Sequence, residues 1–122
     1  MAFEKENGII AICILATLQA KIESSPKAIA TIIHEFKERG IDVGQITINR
    51  VPNGYDSSSI RVAIGSYFMA GLLSYESPIL ITPQGLKNFK EMVNEFLLND
   101  PKTLRQIAEM IGVDLQKIIS PK

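Results

Sequence analysis

The side chains in this sequence that could carry reaction chemistry stand apart from the partners such chemistry needs. The single cysteine, Cys13, could serve as a thiolate nucleophile or redox centre. It sits in the run Gly8-Ile9-Ile10-Ala11-Ile12-Cys13-Ile14-Leu15-Ala16, where a buried thiol acts as a small apolar side chain. The single histidine, His34, could be a general base or a metal ligand. It has no second histidine to pair with, and no cysteine stands at ligand spacing, so it reads as a structural or surface histidine. Ser57-Ser58-Ser59 offers hydroxyl nucleophiles, yet no nucleophile-elbow motif surrounds it and His34 belongs to a different element. A glycine-rich phosphate loop, paired cysteines and a histidine–carboxylate cluster are all missing. The expectation is a protein that is not an enzyme, with no cofactor and no metal site.

Binding chemistry is better represented. Arginines and serines can bond phosphates and base edges, so nucleic-acid binding is a class to weigh. Composition restrains that idea. Thirteen Lys and Arg residues balance thirteen Asp and Glu. The balance holds locally too: six basic against six acidic through residue 50, and seven against seven beyond it. Nonspecific nucleic-acid binders usually carry a basic excess, because neutralised phosphates supply most of the affinity. A lone subunit of this protein is therefore a poor DNA binder on charge alone.

The elements that must position these residues are legible from punctuation and periodicity. The chain has 122 residues, 46% hydrophobic and 21% charged, enough for one core in one domain and unlike a disordered segment. A first helix is expected over residues 8–22. Apolar nearly all round, it suits a central core helix or one shared with a second subunit. The apolar run is too short to span a bilayer and lacks the flanks of a signal peptide. With one cysteine, a reducing, cytoplasmic setting is expected.

Ser24 or Ser25 caps a second helix opened by Pro26, with Ala28, Ile29, Ile32, Ile33 and Phe36 on its inner face and Gly40 ending it. Residues 45–51 alternate as a short strand or extended arm, and Pro52-Asn53-Gly54 turns. A third helix follows Asp56 and the serines. Its inward stripe is Ile60, Ala63, Ile64, Tyr67, Phe68, Gly71 and Leu72, and Ser58, Arg61, Val62, Gly65 and Ser66 stand opposite. A hairpin around Glu76-Ser77-Pro78 precedes a fourth helix opened by Thr82-Pro83, whose apolar face is Leu86, Phe89, Val93, Phe96 and Leu97. Asp100-Pro101 then opens a last pair of short helices hinged at Gly112. The fold class expected is mainly α with a small β-hairpin, α+β.

This order of elements resembles a bacterial or archaeal winged helix-turn-helix regulator over residues 8–98, with 99–122 as a C-terminal helical extension. The resemblance rests on Pro52-Asn53-Gly54-Tyr55-Asp56-Ser57, on Ala70-Gly71-Leu72-Leu73, and on Ile79-Leu80-Ile81-Thr82-Pro83-Gln84-Gly85. In that family a recognition helix ends in a glycine–leucine step, a wing follows, and a threonine-x-x-glycine segment opens the next helix. The resemblance implies a DNA-binding transcriptional regulator acting as a homodimer on double-stranded DNA. Carried over, the contact residues are Ser57, Ser58, Arg61, Val62 and Ser66 on the third helix and Tyr75 and Ser77 on the wing, with Arg50 and Lys87 flanking. Two departures stand out. Residues 40–55 make a longer connection than a compact helix-turn-helix needs, and Arg61 is the third helix's sole cation, with Asp56 and Glu76 placed to repel phosphate.

The same features leave an alternative open: a winged-helix protein–protein interaction module that does not bind DNA. A ligand-sensing regulator is a further possibility, for which no residue set names a ligand. The segment Thr103 to Ile118 also resembles a helix-turn-helix core, with Ala108, then Gly112, then Val113. It is similar as well to the closing helices of phage-repressor-like domains, which pack rather than read. Packing, or a dimerisation arm, is the expectation there.

Overall fold

The computed structural model describes residues 3–76 and 78–119, with the backbone alone for Glu76. Among the described residues, six helices and four short strands follow as α1 (Lys5–Leu18), α2 (Pro26–Glu38), β1 (Asn49–Val51), β2 (Gly54–Asp56), α3 (Ser58–Met69), β3 (Leu73–Glu76), β4 (Ile79–Ile81), α4 (Pro83–Asn99), α5 (Pro101–Ile111) and α6 (Leu115–Ile119). The protein is mainly helical with two small antiparallel hairpins, β1–β2 and β3–β4, an α+β arrangement.

Helix α1 is the central element. Its residues Gly8 to Ala16 are all buried, so the helix needs no second subunit to cover it. It packs chiefly along α4, with α2 and α5 completing the cover. Gly8 lets α1 approach α4 closely: a Cβ there would lie 2.8 Å from the Phe96 ring. The apolar stripes of α2 (Ile29, Ile33, Phe36), α4 (Phe89, Val93, Phe96) and α5 (Leu104, Ile107, Ile111) join α1 and Ile60, Ile64 and Ile118 in one continuous core. Each such buried side chain contributes about 1.5–3 kcal/mol relative to exposure. The segment from Thr103 to Ile118 packs as expected. Leu104, Ile107, Ala108, Val113 and Ile118 are buried against the body of the protein.

The helix ends follow one device. After α2, α3 and α5, a glycine in the left-handed region (Gly40, Gly71 and Gly112, φ 79–80°) reverses the chain. The next amide then reaches back across the last turn, Ile41 to Phe36, Leu72 to Tyr67 and Val113 to Ala108. Helix α1 ends the same way without glycine: Ala20 takes φ 55° while Lys21 N–H donates to Ala16 O at 3.0 Å. This reversal stops α1 at Leu18, short of the expected end at residue 22. At the other end it begins at Lys5, ahead of the expected Gly8.

The N-caps fall on Ser25, Ser57, Thr82 and Asp100, each accepting from the amide three residues on. The residue 40–55 connection is ordered rather than an arm. Val43 and Ile46 are buried, the Gln45 amide donates to Glu6 at 2.6 Å, and the chain then forms the β1–β2 hairpin against α2. Its second strand falls on Gly54-Tyr55-Asp56, where only the turn and a helix cap were expected.

Candidate nucleic-acid interface

Helix α3 lies between the two hairpins, and both fix how it stands. On the β1–β2 side, Tyr55 stacks on His34 of α2, with ring centroids 3.9 Å apart and planes 19° from parallel. His34 Nε2 meets Glu38 Oε1 at 2.9 Å, which holds the imidazole in place. The lone histidine is thus a packing platform for the hairpin, in line with the structural role expected of it.

On the β3–β4 side the joint runs through Thr82 and Gly85. Thr82 Oγ1 donates to Gly71 O at 2.7 Å, with Leu72 O at 3.1 Å as a second acceptor, and Thr82 N–H donates to Leu72 O at 3.1 Å. Gly85 then lets the first turn of α4 press on the end of α3, since a Cβ would stand 1.9 Å from Leu72 O. The threonine-x-x-glycine spacing has a physical cause here. One residue caps α4 and ties off α3, and the other removes the atom that would collide. A further bond crosses from the α1–α2 loop: Ile79 N–H donates to Ser24 O at 3.0 Å, and Ser24 Oγ donates to Ile79 O. Strand β4 therefore has partners on both sides, β3 and Ser24.

The outward face of α3 carries Ser58, Arg61, Val62 and Ser66, all exposed. Ser57 does not belong with them. It is 1% exposed and its hydroxyl is occupied as the N-cap of α3, accepting from Ile60 N–H at 3.1 Å. A capping hydroxyl is spent on the helix, so Ser57 leaves the set of contact side chains. Inside, Ile60, Ile64, Tyr67 and Leu72 are buried as expected, but Phe68 turns outward. Met69 (84% exposed) joins it at the carboxyl end of the outer face, and Val62 (69% exposed) adds an apolar side chain beside Arg61. Ser58 and Arg61 make the amino half of that face polar apart from Val62.

Arg61 Nε donates to Asp56 Oδ1 at 2.8 Å. That bond is foremost in holding the Asp56 carboxyl below its ordinary range, and Lys27 of α2 adds a favourable field. Asp56 and Arg61 therefore meet as an ion pair, each offsetting the other's charge. Lys27 was not among the sequence candidates, because its approach to β2 is set by tertiary packing alone.

Arg50 is exposed on β1 opposite Tyr55, Tyr75 is exposed on β3, and Lys87 is exposed on the first turns of α4. Ser77 lies outside the described residues, as does the side chain of Glu76.

Burial pushes the Cys13 thiol far up, which keeps it protonated and inert. Burial, with Glu4 nearby, raises Tyr67 to about 12, and its hydroxyl donates to Asn7 Oδ1 at 3.0 Å. Among the described residues, no three His, Cys, Asp or Glu side chains gather as a metal site would require. No helix among them is long and apolar enough to cross a membrane. No protein family, curated protein or solved structure matches the chain.

Proposed function

We propose that this protein is a winged-helix regulator that binds double-stranded DNA as a homodimer through the amino half of α3. The observation that carries the proposal is the setting of α3. A helix with a polar, arginine-bearing amino half is held outward between a helix-packed hairpin and a second hairpin whose strand β4 bonds back to the loop before α2. That is the layout expected of a recognition helix followed by its wing. On this reading Ser58 and Arg61 face the major groove, Arg50 and Lys87 contact phosphates, and Tyr75 contributes from the wing.

Dimerisation answers the charge balance. A neutral subunit with few groove-facing cations gains little from counterion release, and a second copy doubles the gain while matching a two-fold site. The test is selection from random duplex DNA at low salt, followed by competition. Enrichment of a palindromic site supports the proposal. Failure of any sequence to outcompete random duplex ends it.

The exposed apolar side chains on the outer face of α3 favour a second reading, a protein-interaction module built on the same fold. Val62, Phe68 and Met69 form the kind of exposed apolar patch that partner proteins cover. Under that reading, Met69→Lys abolishes capture of one stable protein partner, and no salt-sensitive retention on DNA is seen.

A further inference from the structure

Arg61 and Asp56 form a pair whose geometry suits reading better than mere neutralisation. The carboxylate takes the Nε edge of the guanidinium at 2.8 Å, and among the described residues no other side chain bonds Arg61. The terminal Nη1 and Nη2 groups therefore stay available as a fork. A fork of this shape matches the O6 and N7 acceptors of guanine in the major groove.

Asp56 is itself held firmly. It ends strand β2 in register with Asn49, and the preceding residue, Tyr55, is stacked on His34. Arg61 lies one helical turn into α3, whose start is fixed by the buried Ser57 cap. The pair thus joins two rigid elements, and the arginine's plane is set before any DNA arrives. A free arginine loses rotamer entropy when it docks, and a pre-oriented one loses less.

We propose that Asp56 is a positioning residue that aims Arg61 at guanine, making this pair a determinant of sequence preference in the bound DNA. The inference rests on the DNA-binding reading above. Removing Asp56 has two opposing effects. Sequence-independent affinity holds or rises, since one negative charge is lost beside phosphate. The preference for guanine falls, since the fork is no longer aimed. A carboxylate serving only the fold would shift stability and leave base preference untouched.

The experiment is selection from random duplex with the full chain, run in parallel for the wild type, Asp56→Asn, Asp56→Ala and Arg61→Ala, each checked for folding by thermal melting. The expected result is a wild-type site with a guanine whose replacement costs roughly tenfold or more in affinity. That preference weakens in Asp56→Asn, which keeps an acceptor beside Nε, and is lost in Asp56→Ala and Arg61→Ala. Random-duplex affinity in Asp56→Ala is unchanged or higher. If the wild type selects a site and Asp56→Ala keeps the same guanine preference, the positioning role is overturned while DNA binding stands. If the wild type selects nothing, both fall together. Should Asp56→Ala fail to fold, Asp56→Asn alone decides, with an undiminished guanine preference counting against the proposal.

Discussion

Replacing Gly85 by alanine tests the joint that seats α3 against the second hairpin. A Cβ at this position would lie 1.9 Å from Leu72 O and 2.8 Å from its carbonyl carbon, both backbone atoms that cannot rotate away. The Leu72 carbonyl also accepts from Thr82 N–H at 3.1 Å, so displacing it strains that bond too. Overpacking typically costs about 1–3 kcal/mol, and weakening a hydrogen bond adds about 1 kcal/mol. With no flexible side chain to absorb the clash, the expected loss is about 3–4 kcal/mol, a large part of a typical domain's stability. In a domain of this size that lowers Tm by roughly 12–16 °C.

Gly65 supplies the control. It lies within α3, and a Cβ there meets nothing within 4 Å, so alanine should stabilise by about 0.5–1 kcal/mol through helix propensity. Chemical denaturation of both variants measures the contrast. A Gly85→Ala protein within about 1 kcal/mol of wild type would refute the reasoning, because the close approach would not then be needed.

Other outcomes follow from the same geometry. Ala20→Gly relieves a left-handed alanine at the end of α1, in a motif that uses glycine after α2, α3 and α5, and should raise stability by about 0.5–1 kcal/mol in a urea melt; a loss there would mean that φ 55° carries no strain. Asp100 caps α5 and meets Lys5 at 3.2 Å, and hydrogen bonding to Thr103 is foremost in holding its carboxyl below the ordinary range. Its folded value lies below its unfolded one, so its contribution is present above about pH 4 and is lost as pH falls through the folded value. Asp100→Asn should therefore keep the cap but flatten the acid limb of stability against pH, and an unchanged limb would count against this assignment. Cys13, fully buried, should resist a thiol reagent in the native protein and react at the rate of unfolding; rapid native labelling would contradict its core placement.

How much of this was legible in the sequence depends on how local the cause was. Caps and stops were readable because serine, aspartate, proline and glycine act within a few residues. Ser25, Asp100, Gly40 and Gly112 all serve as their types suggest. The all-round apolar α1 was readable as a central helix, and its burial by α4, α2 and α5 removed the need for a shared interface.

What could not be read was set by packing across the chain. Phe68 fits the apolar period of α3 yet faces outward, because the helix turns its Ile60–Ile64–Tyr67 line inward and ends at Met69, one residue beyond Phe68. Tyr55 became a strand residue because His34, distant in sequence, offers it a stacking surface. Ser57 and Asp56 traded the roles that their types allow: the serine capped the helix from within, and the aspartate took the arginine. At the candidate interface, the residues could be named from sequence, but the pairing that gives Arg61 its orientation could not.

As proposed, this fold binds duplex DNA as a dimer through few phosphate contacts. The most direct measurement is affinity for the selected duplex as a function of salt. Arg50 and Lys87 from each of two subunits predict a slope of about −4 for log K against log salt concentration, shallow for a DNA-binding dimer. A bound complex with two protein chains per duplex and a slope near that value supports the account. Binding that is absent at low salt, or that ignores both salt and sequence, contradicts it.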